Sequence, residues 1–70
     1  MSTDCQGKIQ WPELVGKEGK EAEQTIEREN PLVNAIIVDE DTVVPANFRC
    51  DRVWVWVNAS GIVIRVPIIG

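Results

Sequence analysis

Hydrophobic and polar positions alternate strictly from Arg52 to Asn58, reading Arg-Val-Trp-Val-Trp-Val-Asn. A period of two predicts a strand with Val53, Val55 and Val57 on one face and Arg52, Trp54 and Trp56 on the other. Asn58-Ala59-Ser60-Gly61 reads as a turn, and Ile62 to Val66 as a further strand ended by Pro67. The two strands are expected to form a hairpin. Upstream, Leu32 to Val38 is a nearly continuous apolar run, the pattern of a strand buried on both faces and often of a parallel one. From Lys17 to Glu29 the pattern changes to helix formers. Ala22 and Ile26 lie four apart with Thr25 beside them, which gives a narrow inward face. Glu18, Glu21, Glu23 and Glu27 face outward or toward Lys20 and Arg28, a solvated surface. Gly19 weakens the first turn, and Asn30-Pro31 stops the helix.

Two segments fall outside these elements. Residues 1–10 are polar and lead into Trp11-Pro12, where the proline restricts Trp11 to extended geometry. Leu14 and Val15 then supply an apolar anchor before Gly16. The second segment, Asp39 to Asp51, is thirteen residues with Pro45 in its middle. A loop of that length in so small a chain is functional or disordered. Val43, Val44 and Phe48 argue against disorder, so the segment reads as a stiff, exposed, apolar-tipped recognition loop.

Composition narrows the function classes. Seventy residues leave room for a single domain spanning residues 1–70, with a thin core. The chain is 44% hydrophobic, rich enough in Val and Ile to fold. Its longest apolar run is far too short to span a membrane. The net charge of −4 argues against nucleic acid or an anionic membrane as partner. There is no histidine, which removes Ser-His-Asp and Cys-His catalysis and the usual imidazole metal sites. No cofactor is expected. Met1-Ser2-Thr3 shows no signal peptide and reads as the start of a mature or recombinant chain.

Cys5 and Cys50 are the only cysteines. An even number in a short chain suggests a disulfide. Closing so long a loop stabilises by roughly 4 kcal/mol in the chain-entropy model. Two separate thiols in a reducing compartment are the alternative. A CxxC metal or redox motif is absent, because 44 residues lie between the two.

Several segments together resemble one known family. Trp11-Pro12-Glu13-Leu14-Val15-Gly16 is similar to the N-terminal signature of the potato inhibitor I family of serine protease inhibitors, which includes squash, flax and barley seed inhibitors and eglin. Ile26-Glu27-Arg28-Glu29-Asn30-Pro31 resembles the end of that family's helix. Phe48-Arg49-Cys50-Asp51-Arg52-Val53 resembles the segment after its reactive bond, and Val66-Pro67 with Gly70 its terminus. The match covers essentially the whole chain, in order and in spacing.

The resemblance implies an α+β fold: one helix packed on a small mixed β-sheet with a long exposed inhibitory loop. It implies a Cys5–Cys50 bridge, an inhibitor rather than an enzyme, serine proteases as partners and a monomer when free. With the bridge it implies a secreted, vacuolar or seed compartment. The family's scissile bond lies four residues before the position held by Cys50, which makes Ala46 the P1 residue and Asn47 P1′. Val43, Val44, Pro45, Phe48 and Arg49 are then protease-contacting residues, and Arg52, Trp54 and Gly70 support the loop. Three departures from the family pattern stand out. Pro45 replaces the common Thr at P2, Asn47 the common acid at P1′, and Trp54 one of the two arginines often found beneath the loop. Arg52 is therefore the expected brace to Asn47, without a carboxylate's charge assistance, and Pro45 compensates by fixing its own φ.

A P1 methyl suits a small apolar specificity pocket, of the elastase or subtilisin kind. The alternatives are a non-inhibitory scaffold or storage protein of the same fold, and a trypsin inhibitor, for which Arg49 is the candidate residue. Trp54 and Trp56 read as packing beside the loop rather than as a ligand platform. Asn58-Ala59-Ser60 matches the N-glycosylation pattern but reads first as a plain turn. Asp39-Glu40-Asp41 lacks the glycine of a calcium loop and reads as a solvated acidic loop entrance.

Overall fold

The computed structural model describes residues 5–70. Trp11 organises the first quarter of the chain. Pro12 begins a short 3-10 turn over Pro12–Leu14, and the Trp11 ring is wholly buried. Its indole N–H donates to Glu29 at 2.9 Å, so the one polar atom of the ring is satisfied by the far end of the helix. Helix α1 runs Gly19–Glu29. It buries Ala22 and Ile26 completely. Its glutamates do not form a purely solvated face: Glu23 is half-buried, and Glu27 Oε2 accepts from the Ala35 main-chain N–H at 2.9 Å, which ties the helix to the chain that follows.

The first helical residue is a glycine for a packing reason. A Cβ on Gly19 would lie 2.8 Å from Val57 Cγ1, so only a residue without one lets the helix start rest on the sheet. At the other end, the Asn30 N–H still bonds to the Ile26 carbonyl, and Pro31 then prevents continuation.

The sheet is mixed, in the order β1-β2-β3. Strand β1 is Asn34–Asp39, β2 is Arg52–Val57 and β3 is Ile68–Ile69. β1 and β2 are parallel, with Asn34 opposite Arg52 and Asp39 opposite Val57. β2 and β3 are antiparallel, with Val53 opposite Ile69. Helix α1 covers one face. Val53, Val55 and Val57 of β2 point into that layer with Trp11, Leu14, Ile26, Val33, Ala35, Val63 and Ile69. Trp54 and Trp56 lie half-buried on the other face, as the alternation predicts.

Two expectations need correction. The Leu32–Val38 run is not buried on both faces: Ile36 and Ile37 are each 39% exposed, and Ala35 is the one fully buried residue of β1. The helix covers a single face and β1 is an edge strand, so its apolar composition does not reflect two-sided burial. The second correction concerns Ile62–Val66, which is not a regular strand. Val63 pairs with Val57 and Ile62 bridges instead to Glu18. Val57 faces Val63 while Val53 faces Ile69, so four steps along β2 oppose six on the returning chain. The extra two residues bulge near Arg65–Pro67. Pro67 does not end the strand; it is buried, its carbonyl accepts from the Trp11 N–H at 2.9 Å, and regular pairing begins after it.

Candidate functional site

Because β1 and β2 are parallel neighbours, the chain must travel from the end of one back to the start of the other. Residues 40–51 make that return without a helix, and residues 42–49 have no regular structure. The loop is solvent-exposed throughout except at Val44, which is half-buried; Val43 is 94% and Phe48 54% exposed. Ala46 and Asn47 lie in the exposed stretch between them.

Three devices hold this segment. The first is Arg52, a largely buried charge at the start of β2. Its Nε donates to the Gly70 carbonyl at 2.8 Å and its Nη2 to the Asn47 carbonyl. The acceptor at Asn47 is the main-chain oxygen rather than the side-chain amide, so the brace acts on the backbone of the loop whatever side chain occupies that position. Arg52 also stacks on Trp54, 4.7 Å from the ring centroid. Trp54 thus supports the loop through Arg52. Gly70 is held twice, since its N–H also donates to the Arg52 carbonyl at 2.9 Å.

The second device is the Cys5–Cys50 disulfide, which ties the far end of the loop to the N-terminal segment. That segment is itself anchored by Asn30. The Asn30 amide is 1% exposed and donates from Nδ2 to the carbonyls of Gln6 and Lys8, while its Oδ1 accepts from the Leu32 N–H. Gly7 passes so close to this amide that a Cβ would sit 2.8 Å from Nδ2, and its φ is +82°. Asn30 therefore does more than stop the helix, and the sequence signals only the stop.

The third device straddles Cys50. Arg49 donates from Nε and Nη2 to the two carboxylate oxygens of Asp51, each at 2.9 Å. This fork holds the Asp51 carboxyl below its ordinary value, with the Arg49 hydrogen bonds as the largest cause. A second charged group lies on the N-terminal segment and the end of the helix. Lys8 bonds both Glu13 and Glu29, the latter also receiving the Trp11 indole. Both glutamates are lowered from their ordinary values, in each case chiefly by the hydrogen bond from Lys8. Among the described residues, no group of three acidic or cysteine side chains is placed to hold a metal ion.

The sequence model of the potato inhibitor I family matches residues 3–70. The chain belongs to the potato inhibitor I family. Several relatives match over nearly their full lengths. A "Glu S.griseus protease inhibitor" from Momordica charantia is 57% identical over 97% of this chain and 100% of its own. A "Trypsin/subtilisin inhibitor" from Amaranthus caudatus is 52% identical over 91% and 93%. Among solved structures, the bitter gourd trypsin inhibitor superimposes with a TM-score of 0.93 at 53% identity, covering 97% of this chain and 100% of that one. The helix, the small mixed sheet and the long loop are therefore the family fold.

Proposed function

We propose that the chain is a serine protease inhibitor acting through its exposed loop, with Ala46 as P1 and Asn47 as P1′. The observation that carries this reading is the Arg52 bond to the Asn47 carbonyl in a chain of an inhibitor family. A protease that cleaves the Ala46–Asn47 bond must release a new amine at Asn47. Arg52 holds the carbonyl of that same residue, and the disulfide at Cys50 holds the strand that follows. The leaving amine stays beside the acyl group at a high effective concentration, so resynthesis competes with hydrolysis. Preorganisation adds affinity, since the loop is ordered by folding rather than by the protease.

Ala46 offers a single methyl to the specificity pocket, and Val44 and Pro45 add apolar contact on the acyl side. This supports an enzyme of the elastase or subtilisin kind. The relatives' names favour a second reading, trypsin inhibition. It lacks a cation at the P1 position here, and Arg49, three residues beyond Ala46, is engaged by Asp51. Titration of elastase, subtilisin, chymotrypsin and trypsin with the purified chain tests both. The expected result is stoichiometric inhibition of elastase or subtilisin and weak inhibition of trypsin. No inhibition of any serine protease would leave a non-inhibitory scaffold of the same fold.

A further inference from the structure

The turn at Asn58-Ala59-Ser60 plays no part in the loop or its supports, yet its two amide atoms have divided roles. Oδ1 of Asn58 accepts from the main-chain N–H of Ser60 at 2.9 Å and of Ile62 at 3.0 Å. Two N–H donors require an oxygen there, which fixes the orientation of the amide. The nitrogen is left over. Nδ2 donates to no group among the described residues. No buried side-chain nitrogen or oxygen among them lacks a partner, so Nδ2 reaches solvent. Ala59 and Ser60 are exposed, and Ser60 contributes only its main-chain N–H to the turn.

We propose that Asn58 is an N-glycosylation site. The nitrogen that would carry the sugar is the free one, and the oxygen that builds the turn is untouched by the modification. Nδ2 attacks C1 of an oligosaccharide carried on a lipid pyrophosphate. The N–C1 bond forms and the C1–O bond to phosphate breaks. The pyrophosphate leaves with the electron pair, and the second amide proton stays on nitrogen while the first goes to a base of the transferase. The product is a secondary amide whose Oδ1 still accepts both bonds. Asn58 also borders a cleft of about 300 Å³ with Ala59, Asp39, Glu40 and Asp41, where carboxylates can accept from sugar hydroxyls. The Cys5–Cys50 bridge fits the same compartment, since disulfides form where the secretory transferase works. The site lies at the far end of β2 from the Arg52–Asn47 contact, about 20 Å along the strand, so a glycan there leaves the Ala46–Asn47 bond open.

The test is secretion of the full chain from plant cells, followed by intact-mass measurement before and after peptide-N-glycosidase in heavy-oxygen water. The expected result is a glycan mass lost on digestion, with a labelled Asp left at position 58. Ser60→Ala keeps the turn, because only the main-chain N–H is used, and is expected to lose the whole glycan mass while melting like the wild type. Ser60→Thr is expected to keep it. Asn58→Asp preserves both Oδ acceptor bonds and loses the glycan. A secreted, disulfide-bonded wild-type chain with the mass of bare polypeptide would overturn the proposal. So would a glycan that persists in Ser60→Ala.

Discussion

Arg52 holds Asn47 by its main-chain carbonyl, from beneath the loop and with the same guanidinium that grips Gly70. Neither bond involves a residue that must be conserved in type, since both acceptors are backbone oxygens. Replacing Arg52 by Ala removes a charge-assisted bond of about 1.5 kcal/mol or more from the loop. Cleavage at Ala46–Asn47 by a protease in slight excess is then expected to accelerate about tenfold, by the same conversion. The core of Val53, Val55 and Trp11 is untouched, so the melting temperature should fall only modestly. Arg52→Lys keeps the charge but not the fork, and belongs between the two. Cleavage at the wild-type rate in Arg52→Ala would show that the loop is held by other means.

Gly19 gives an unexpected sign. Helix propensity alone makes Gly→Ala stabilising by up to about 1 kcal/mol. The added Cβ would meet Val57 Cγ1 at 2.8 Å, and Val57 is 3% exposed on a packed strand. Overpacking of this kind costs about 1–3 kcal/mol. Gly19→Ala is therefore expected to lower the chemical-denaturation midpoint. In Val57→Ala, where the methyls are gone, the same change should cost less or stabilise. Equal effects in the two backgrounds would show that the contact does not set the sign.

What the sequence reveals follows from which interactions are local. The alternation of Arg52–Val57 depends on a single strand with one face against a helix, so its inward valines are readable directly. The Ala22–Ile26 face and the Asn30-Pro31 stop are equally local. The Ile62–Val66 reading fails because Ile62 finds Glu18 and Pro67 finds Trp11, partners more than forty residues away in sequence. The apolar β1 run misleads because composition does not tell an edge strand from a central one. At the candidate site, Arg52 and Gly70 are legible through the family resemblance. The choice of a main-chain acceptor at Asn47 is not, and nor is the path from Asn30 through Gly7 to the disulfide. Those depend on where the backbone passes.

The Lys8 cluster gives the fold an acid-side sensitivity. Glu13 and Glu29 titrate below their ordinary values in the folded chain because Lys8 bonds their ionised forms. The unfolded chain therefore takes up protons first as pH falls. Their contribution is complete above the ordinary glutamate value of about 4.3 and is lost as pH drops through the lower folded values. Lys8 itself is raised, so its share is lost only in strong alkali. Lys8→Met is expected to flatten, not abolish, the loss of stability between neutral pH and pH about 3, because Asp51 with Arg49 titrates in the same direction. The groups are exposed, so added salt should shrink the difference. Denaturant titrations of both chains at the two pH values check this, and parallel pH profiles would remove the cluster from the account.

In the proposed register, specificity rests on one exposed methyl. Ala46 lies in the exposed stretch of the loop, and no side chain of the core depends on it. Ala46→Lys should therefore change stability by no more than about 0.5 kcal/mol. Its effect on partner choice is of another order. A trypsin pocket carries a buried carboxylate that Ala46 cannot pair, and leaving such a charge desolvated is costly. A lysine supplies the cation, and a site built around a polar partner discriminates by about ten-thousandfold. Ala46→Lys is expected to tighten trypsin inhibition by at least about a thousandfold, within that bound, and to weaken inhibition of an elastase, whose shallow pocket cannot take the chain. The same change at Phe48 should do neither, since that side chain falls on the leaving side of the bond. Inhibition constants for the three chains against trypsin and elastase decide the matter. If the wild type already blocks trypsin tightly and Ala46→Lys leaves it unchanged, the register is wrong. Arg49→Ala, which also frees Asp51, then becomes the variant to measure.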